Sequence, residues 1–415
     1  MRPALWSVAI QAAGSAATVA SALLVSSQMG LAAQGEFGLL RSWNDALVTL
    51  AVLGLPQGLL HMQYREAVPM AALRSWAGRY AVFLLVALVI VGIAAGWLLP
   101  RSQLTGLLQR PETLVVLALA VAFGATHLLW RALALRDVGA VRYAVITAAP
   151  ALLIFVGLVP VCLARRTDGF VWVLFAAAAL AAGASGLMVR HAALHAVEPA
   201  AAPERTHAWS RRTLWSVSAE TGVQNVLTAL SPALMLSVAG WSGAPLAEIG
   251  VVSLGLHVYQ VFGVAAVYVA PMVYDRAARA AHPLTATELA AWLRRRASLP
   301  LLLAFGAAAL LALGLVRWLW PGGVDSVLLA AMAGAGALAL AVRLLSTLLL
   351  ARGAFRPLTV QAFVRLMTTA GGSALLLLFW PAARAVPFAL LLTELLLLAG
   401  LLRLMRQIAP EPGLR

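Results

Sequence analysis

From Tyr80 to Leu99 twenty consecutive residues carry no charge, and Leu299 to Val316 forms a second run of the same kind. A helix of about 20 residues rises about 30 Å, the thickness of a bilayer's hydrocarbon. Inside lipid every backbone amide must be satisfied within its own segment, and a long helix does that. Strands of an outer-membrane barrel would alternate apolar and polar residues, and no such alternation is present. Composition agrees: 62% of the 415 residues are hydrophobic, 11% are charged, and the mean hydropathy is +0.92. That is too little charge to cover a soluble surface of this size. The expected fold is an all-α polytopic membrane protein.

Hydropathy predicts about twelve transmembrane helices, near 5–28, 40–62, 78–99, 112–135, 143–164, 170–190, 211–238, 247–273, 298–320, 325–350, 358–380 and 386–405. Breakers separate them, among them Pro100-Arg101-Ser102, Arg165-Arg166-Thr167-Asp168-Gly169, Pro321-Gly322-Gly323 and Pro381. No cleavable signal peptide is expected, since the first apolar stretch is too long and no A-x-A site follows it. Cys162 is the only cysteine and lies in an apolar run, so no internal disulfide can form.

All 30 basic residues are arginine. Without lysine there is no P-loop lysine and no Schiff base. Twenty-three arginines fall at the N-terminus, at the connections after even-numbered spans or at the C-terminus; 7 fall at the odd connections. Arginine accumulates on the cytoplasmic side because its transfer during insertion is unfavourable, so both termini are expected in the cytoplasm. The same distribution accounts for the net charge of +15 without a nucleic-acid partner. The longest polar stretch, 191–210, reads as a cytoplasmic linker between an N-terminal six-helix lobe (1–190) and a C-terminal one (211–415). No loop is long enough to fold as a soluble catalytic domain.

The two lobes carry related motifs. Leu5-Trp6-Ser7-Val8 opens the first span and Leu214-Trp215-Ser216-Val217 the seventh. Gly35-Glu36-Phe37-Gly38 precedes the second span and Ala247-Glu248-Ile249-Gly250 the eighth. Six spans return the chain to its starting side, so the repeat is parallel, related by a pseudo-two-fold axis along the membrane normal. Duplicated bundles of this kind place a pathway between their halves and rock about it.

Gly30-x4-Gly35-Glu36-Phe37-Gly38-Leu39-Leu40, followed by a span ending Leu53-Gly54-Leu55-Pro56-Gln57-Gly58-Leu59, resembles the polysaccharide flippases of the multidrug/oligosaccharidyl-lipid/polysaccharide exporter superfamily. The resemblance covers the whole chain in span count, lobes and short loops. It implies a V-shaped pair of bundles in a bacterial inner (plasma) membrane. These would carry polyprenyl-diphosphate-linked oligosaccharides to the outer leaflet, for surface polysaccharide biosynthesis. The substrate and membrane lipids would be the partners, along with a glycan polymerase and glycosyltransferases of the same pathway. No bond is broken, so neither catalytic residues nor a cofactor is expected.

Ionisable residues within a span are costly, by roughly 2.5 kcal/mol or more, and usually face a cavity or a partner. Arg41, Asn44 and Asp45 share one face of the second span, with Thr49 continuing it. They are candidate lumen residues, Arg41 for a diphosphate or sugar carboxylate; the plainer alternative is a self-satisfied Arg41–Asp45 pair. In the seventh span Ser216, Glu220, Gln224 or Asn225, and Thr228 form a stripe matched by Ser7, Gln11, Ser15 and Thr18 in the first. Glu220, Gln224 and Asn225 are therefore also substrate-binding candidates, with helix–helix hydrogen bonding as the alternative. His257 occupies the position in the eighth span that Asp45 holds in the second. It suits an anionic substrate or a proton relay, or else a buried histidine bonded to a backbone carbonyl. Glu394 is expected to hydrogen-bond a neighbour while protonated, and Arg343 and Arg365 to snorkel toward headgroups or meet a lipid head at the inner mouth. Gly92-x3-Gly96 signals close helix packing. His191-x3-His195 has a metal pair's spacing, but the loop is flexible and no cysteine accompanies it, so no metal is assigned. A cation-coupled drug exporter of the same superfamily is the alternative within transport. A membrane-embedded glycan polymerase or glycosyltransferase is less in keeping with such short outer loops.

Overall fold

The apolar runs close their own hydrogen bonds as helices in the computed structural model, which describes residues 2–64, 66, 68–98, 106–195, 211–278, 285–296, 306, 326–351 and 355–408. In chain order the helices are α1 (Arg2–Met29), α2 (Leu31–Val52), α3 (Leu55–Tyr64), α4 (Met70–Leu98), α5 (Pro111–Asp137), α6 (Ala140–Leu163), α7 (Gly169–His195), α8 (Arg211–Trp241), α9 (Leu246–Ala278), α10 (Ala286–Arg296), α11 (Ser326–Ala351), α12 (Phe355–Leu376) and α13 (Ala382–Ile408). Nine stretches of the described helices are long and apolar enough to cross a membrane, and α2 with α3 makes a tenth, bent by 43°. Two of the twelve expected spans need comment. The ninth, 298–320, lies almost wholly outside the described residues. The eleventh is a helix, α12, but Arg356, Gln361, Arg365 and its threonines keep it below the apolarity of a lipid-facing span.

The second span departs from its expected form. Helix resumes only one residue after α1 ends, at Leu31, with Gly30 at φ 88° as the articulation. Gly35-Glu36-Phe37-Gly38 is therefore not a connection but the first turns of α2, with Gly35, Phe37 and Gly38 buried. Near the other end, Leu53 (φ 38°) and Gly54 (φ 75°) interrupt the helix. Pro56 supplies a cause: it has no amide to donate to the carbonyl of Val52, so the α2 ladder cannot continue through it. α10 is an element the hydropathy reading did not anticipate. It opens on Thr285-Ala286-Thr287-Glu288, where the Glu288 amide donates to Thr285 Oγ1 at 3.2 Å and the Thr285 amide donates to Glu288 Oε2 at 2.8 Å. This is a reciprocal capping box, legible in the sequence as Thr-x-x-Glu.

Contacts divide the chain into two units, Met1–Ala233 and Leu234–Arg415, so that the boundary falls inside α8. In the first unit α1 packs on α6 and α2, while α5 is central, touching α2, α3, α4, α6 and α7. One core gathers Phe37, Leu158, Cys162 and Phe170, the two rings 5.4 Å apart. Another gathers Leu55, Leu59, Trp76, Leu129, Leu133 and Leu214. Small residues bring the helices close: Gly92 and Gly96 on α4 face Ala118 and Pro111 on α5, the packing anticipated for that pair. At the α2–α3 break, Gly54 meets the backbone of α8 at Ser218 and Gly222, and Gly58 meets Leu214 and Ser218. In the second unit α9 packs on α11 and α13, α11 on α12 and α13, and α12 on α13. Each of these pairings repeats one found six spans earlier, as α2–α5, α2–α7, α5–α6, α5–α7 and α6–α7.

Candidate functional site

Two polar clusters stand out against the apolar helices. The first belongs to α1 and α2. Arg41 lies a turn before Asp45, and its side chain crosses to α1, where Nη2 donates to Thr18 Oγ1 at 3.2 Å. Its Nε stands 4.0 Å from Asp45 Oδ2, the outer limit of an ion pair. Asn44 Nδ2 donates to Asp45 Oδ1 at 3.4 Å, and Thr49 donates to the Asp45 carbonyl at 2.8 Å. The exposures are unequal: 18% of the Arg41 side chain is accessible and 65% of the Asp45 side chain. Arg41 Nη1 and Asn44 Oδ1 are buried and find no hydrogen-bond partner among the described residues. A self-contained pair would close the carboxylate over the guanidinium. Here the carboxylate turns outward, and part of the guanidinium's hydrogen-bonding capacity is unspent.

The second cluster links α9, α12 and α13. Glu394 is fully buried; its Oε2 lies 2.8 Å from Arg365 Nη2, and its Oε1 accepts from the Tyr259 hydroxyl at 2.9 Å. Thr369 donates to the Arg365 carbonyl at 2.6 Å, and its Oγ1 lies 3.5 Å from Thr393 Oγ1. Arg343 packs its guanidinium on Gly263, where no side chain intervenes. This revises one expectation: Arg365 does not snorkel to headgroups but is buried against Glu394. Glu394 does hydrogen-bond its neighbours, the Arg365 guanidinium and the Tyr259 hydroxyl. The pairing was not readable because Arg365 and Glu394 are 29 positions apart and on different helices.

The other candidates lie on α8 and α9. Gln224 and Asn225 are half-buried on α8, where Thr228 Oγ1 bonds the Gln224 carbonyl at 2.9 Å. Glu220 lies on α8, and its side chain is outside the described residues. His257 is buried on α9 with Nδ1 2.8 Å from the Ser253 carbonyl oxygen, the backbone-bonded arrangement named as its plainer alternative. Of the histidines near the linker, the His195 side chain and His207 are outside the described residues. Among the described residues no three histidine, cysteine or acidic side chains come together as metal ligands. One residue the sequence reading passed over is His127 on α5. It is buried, with Nδ1 3.2 Å from the Ala181 carbonyl of α7 and Nε2 unpartnered among the described residues. A lone histidine in an apolar run gave no spacing signal.

No family model matches the chain, and no curated protein matches it. Solved structures do. A lipid II flippase, MurJ, in an inward closed conformation superposes with a TM-score of 0.67 over 97% of this chain and 87% of that one, at 12% identity. An inward-facing multidrug resistance MATE family transporter of the MOP superfamily gives 0.62 over 96% and 97%, at 14% identity. The MATE multidrug transporter DinF-BH gives 0.61 over 97% and 94%, at 15% identity. At such identities the likeness concerns the backbone alone: the chain is a multi-pass helical membrane protein with the fold of the MOP superfamily transporters.

Proposed function

We propose that this protein moves polyprenyl-diphosphate-linked oligosaccharide across a bacterial inner membrane, by alternating access and without breaking a bond, for surface polysaccharide biosynthesis. Lobes at 1–190 and 211–415, joined by the linker 191–210 and with both termini cytoplasmic, would alternate about the pathway. Arg41, Asn44, Asp45, Glu220, Gln224, Asn225 and His257 would line it, and a glycan polymerase and glycosyltransferases would work on either side.

The supporting observation is the exposed acid in the middle of an apolar helix. Asp45 has a side chain that is 65% accessible, yet α2 is long enough, with α3, to cross the membrane. A carboxylate facing hydrocarbon costs roughly 2.5–3.5 kcal/mol, so this face of α1–α2 belongs to water or to a polar ligand. Arg41 beside Asp45, its side chain 18% accessible, supplies a guanidinium of the kind a diphosphate takes. Shielding sugars and diphosphate while a prenyl tail stays in lipid requires such a wet, hydrogen-bonding wall.

One observation favours a second reading. On this wall the accessible charge is the carboxylate and the guanidinium is the more buried, which suits a cation-coupled drug exporter. Proteoliposomes distinguish the two. Under the first reading, wild-type protein exposes a fluorescent lipid-linked oligosaccharide on the far leaflet, Arg41→Ala abolishes this, and Asp45→Asn retains it. Loss with Asp45→Asn alone, together with ion-gradient-driven export of a cationic dye, overturns that reading in favour of the second.

A further inference from the structure

α4 and α7 both pack on α5, and between them, with α5 as floor, runs a groove of about 680 Å³. Its walls are of two kinds. Phe123, Trp130, Gly183 and Gly186 make an apolar channel, and among the described residues lining it the charged ones are Arg74 and Arg190. The charges are gathered at one end. Arg74 lies near the start of α4, and Arg190 and Trp130 lie near the ends of α7 and α5. Phe123 lies seven residues before Trp130, about 10 Å further along α5 at 1.5 Å per residue. The channel is open at Gly183, where an added Cβ would meet nothing within 4 Å, while Trp130 closes over Gly186. Neither Arg74 nor Arg190 forms a hydrogen bond or an ion pair with any described residue.

Arginine and tryptophan together mark the level of the headgroups, with the apolar channel reaching into the acyl region. A ligand that satisfies both ends carries a phosphate for the guanidinium groups and a hydrocarbon chain for the channel. Two positive charges, with no acidic side chain among the described residues lining the groove, also select the headgroup: a zwitterionic lipid brings a cation of its own, an anionic one does not. We propose that this groove binds an anionic phospholipid of the surrounding bilayer, with its phosphate between Arg74 and Arg190 and one acyl chain along Phe123 and Gly183. The site is separate from the Arg41–Asp45 wall and does not depend on what the protein transports.

The test is native mass spectrometry of the full-length protein in detergent, titrated with phosphatidylglycerol or phosphatidylcholine. Wild-type protein should retain phosphatidylglycerol in preference to phosphatidylcholine. A charge-assisted bond to phosphate corresponds to about one decade of affinity, so Arg74→Gln with Arg190→Gln should weaken phosphatidylglycerol binding by about 100-fold. Arg166→Gln, in the turn before α7 and paired with Asp168, should bind as wild type does. Gly183→Leu keeps both arginines and obstructs the channel, so it too should lose the lipid, and it carries the test if the arginine variant does not elute as wild type on gel filtration. Equal retention of the two lipids by wild type, or of phosphatidylglycerol by wild type and both groove variants, overturns the proposal. So does displacement of phosphatidylglycerol by equimolar polyprenyl diphosphate, which would make the groove a seat for a transported lipid's tail.

Discussion

Breaking the Arg365–Glu394 pair should be far more damaging than replacing it. Glu394 is fully buried, Arg365 nearly so, and the pair is closed at 2.8 Å. Arg365→Met strands an acid held only by the Tyr259 hydroxyl; Glu394→Leu strands a guanidinium whose Nε already lacks a partner among the described residues. Removing one member of a buried pair typically costs about 3–5 kcal/mol, because the survivor must be desolvated alone. With both replaced, no charge is buried, and the double variant should lie within about 1–2 kcal/mol of wild type. Tyr259→Phe leaves Glu394 Oε1 without its donor and should cost about 1–3 kcal/mol. The measurement is a double-mutant cycle on detergent-solubilised protein, read as unfolding midpoints at one fixed heating rate because such unfolding is seldom reversible. Single variants as stable as wild type, or a double variant whose loss equals the sum of the two, would refute the reasoning.

Gly222→Val should prevent α8 from seating on the α2–α3 break, because the added carbons overlap the Leu53 carbonyl; the expected result is loss of monodisperse protein on gel filtration, while Gly78→Ala, with open space at its Cβ, elutes as wild type. Asp168 lies in the exposed turn between α6 and α7, and its hydrogen bonds from Arg166 hold its carboxyl below the usual range. A depressed carboxyl stabilises the fold above its unfolded pKa, near 4, and the contribution disappears as pH falls through the folded value. Wild type should therefore exceed Asp168→Asn in unfolding midpoint at neutral pH by a small margin that closes in acid; a margin that grows in acid contradicts the assignment. Cys162 is 2% exposed and should resist a water-soluble maleimide until the protein is unfolded, as judged by intact mass.

Hydropathy located the long helices well because burial in lipid imposes one requirement on every residue of a span. α5, expected at 112–135 and found from Pro111 to Asp137, declares itself closely, and α4, expected at 78–99, ends where expected but begins eight residues earlier, at Met70. Where a local feature opposes the apolar pattern, reading by average fails. The α1–α2 junction has a single non-helical residue, Gly30, and the window average places the next span nine residues late. The 43° bend follows from Gly54 and Pro56, both visible, but a hydropathy window has no term for either. The Arg41–Asn44–Asp45 face was legible because helical spacing fixes which neighbours can meet. The unequal exposure within it was not, since that depends on how α1 lies against α2. Tyr259, Arg365 and Glu394 show the limit: each reads alone as a costly polar residue, and only the packing of three helices shows that they satisfy one another.

The seat formed by Gly54 and Gly222 touches through main chain on both sides, with no side chain between. Side chains at an ordinary crossing can rotate to follow a sliding neighbour, but peptide groups have no rotamers. Such a joint behaves as a latch rather than a bearing. α8 would be either home against the α2–α3 break or clear of it, since half-open positions would forfeit the close packing at Gly54 and Gly222 and leave an unfilled gap.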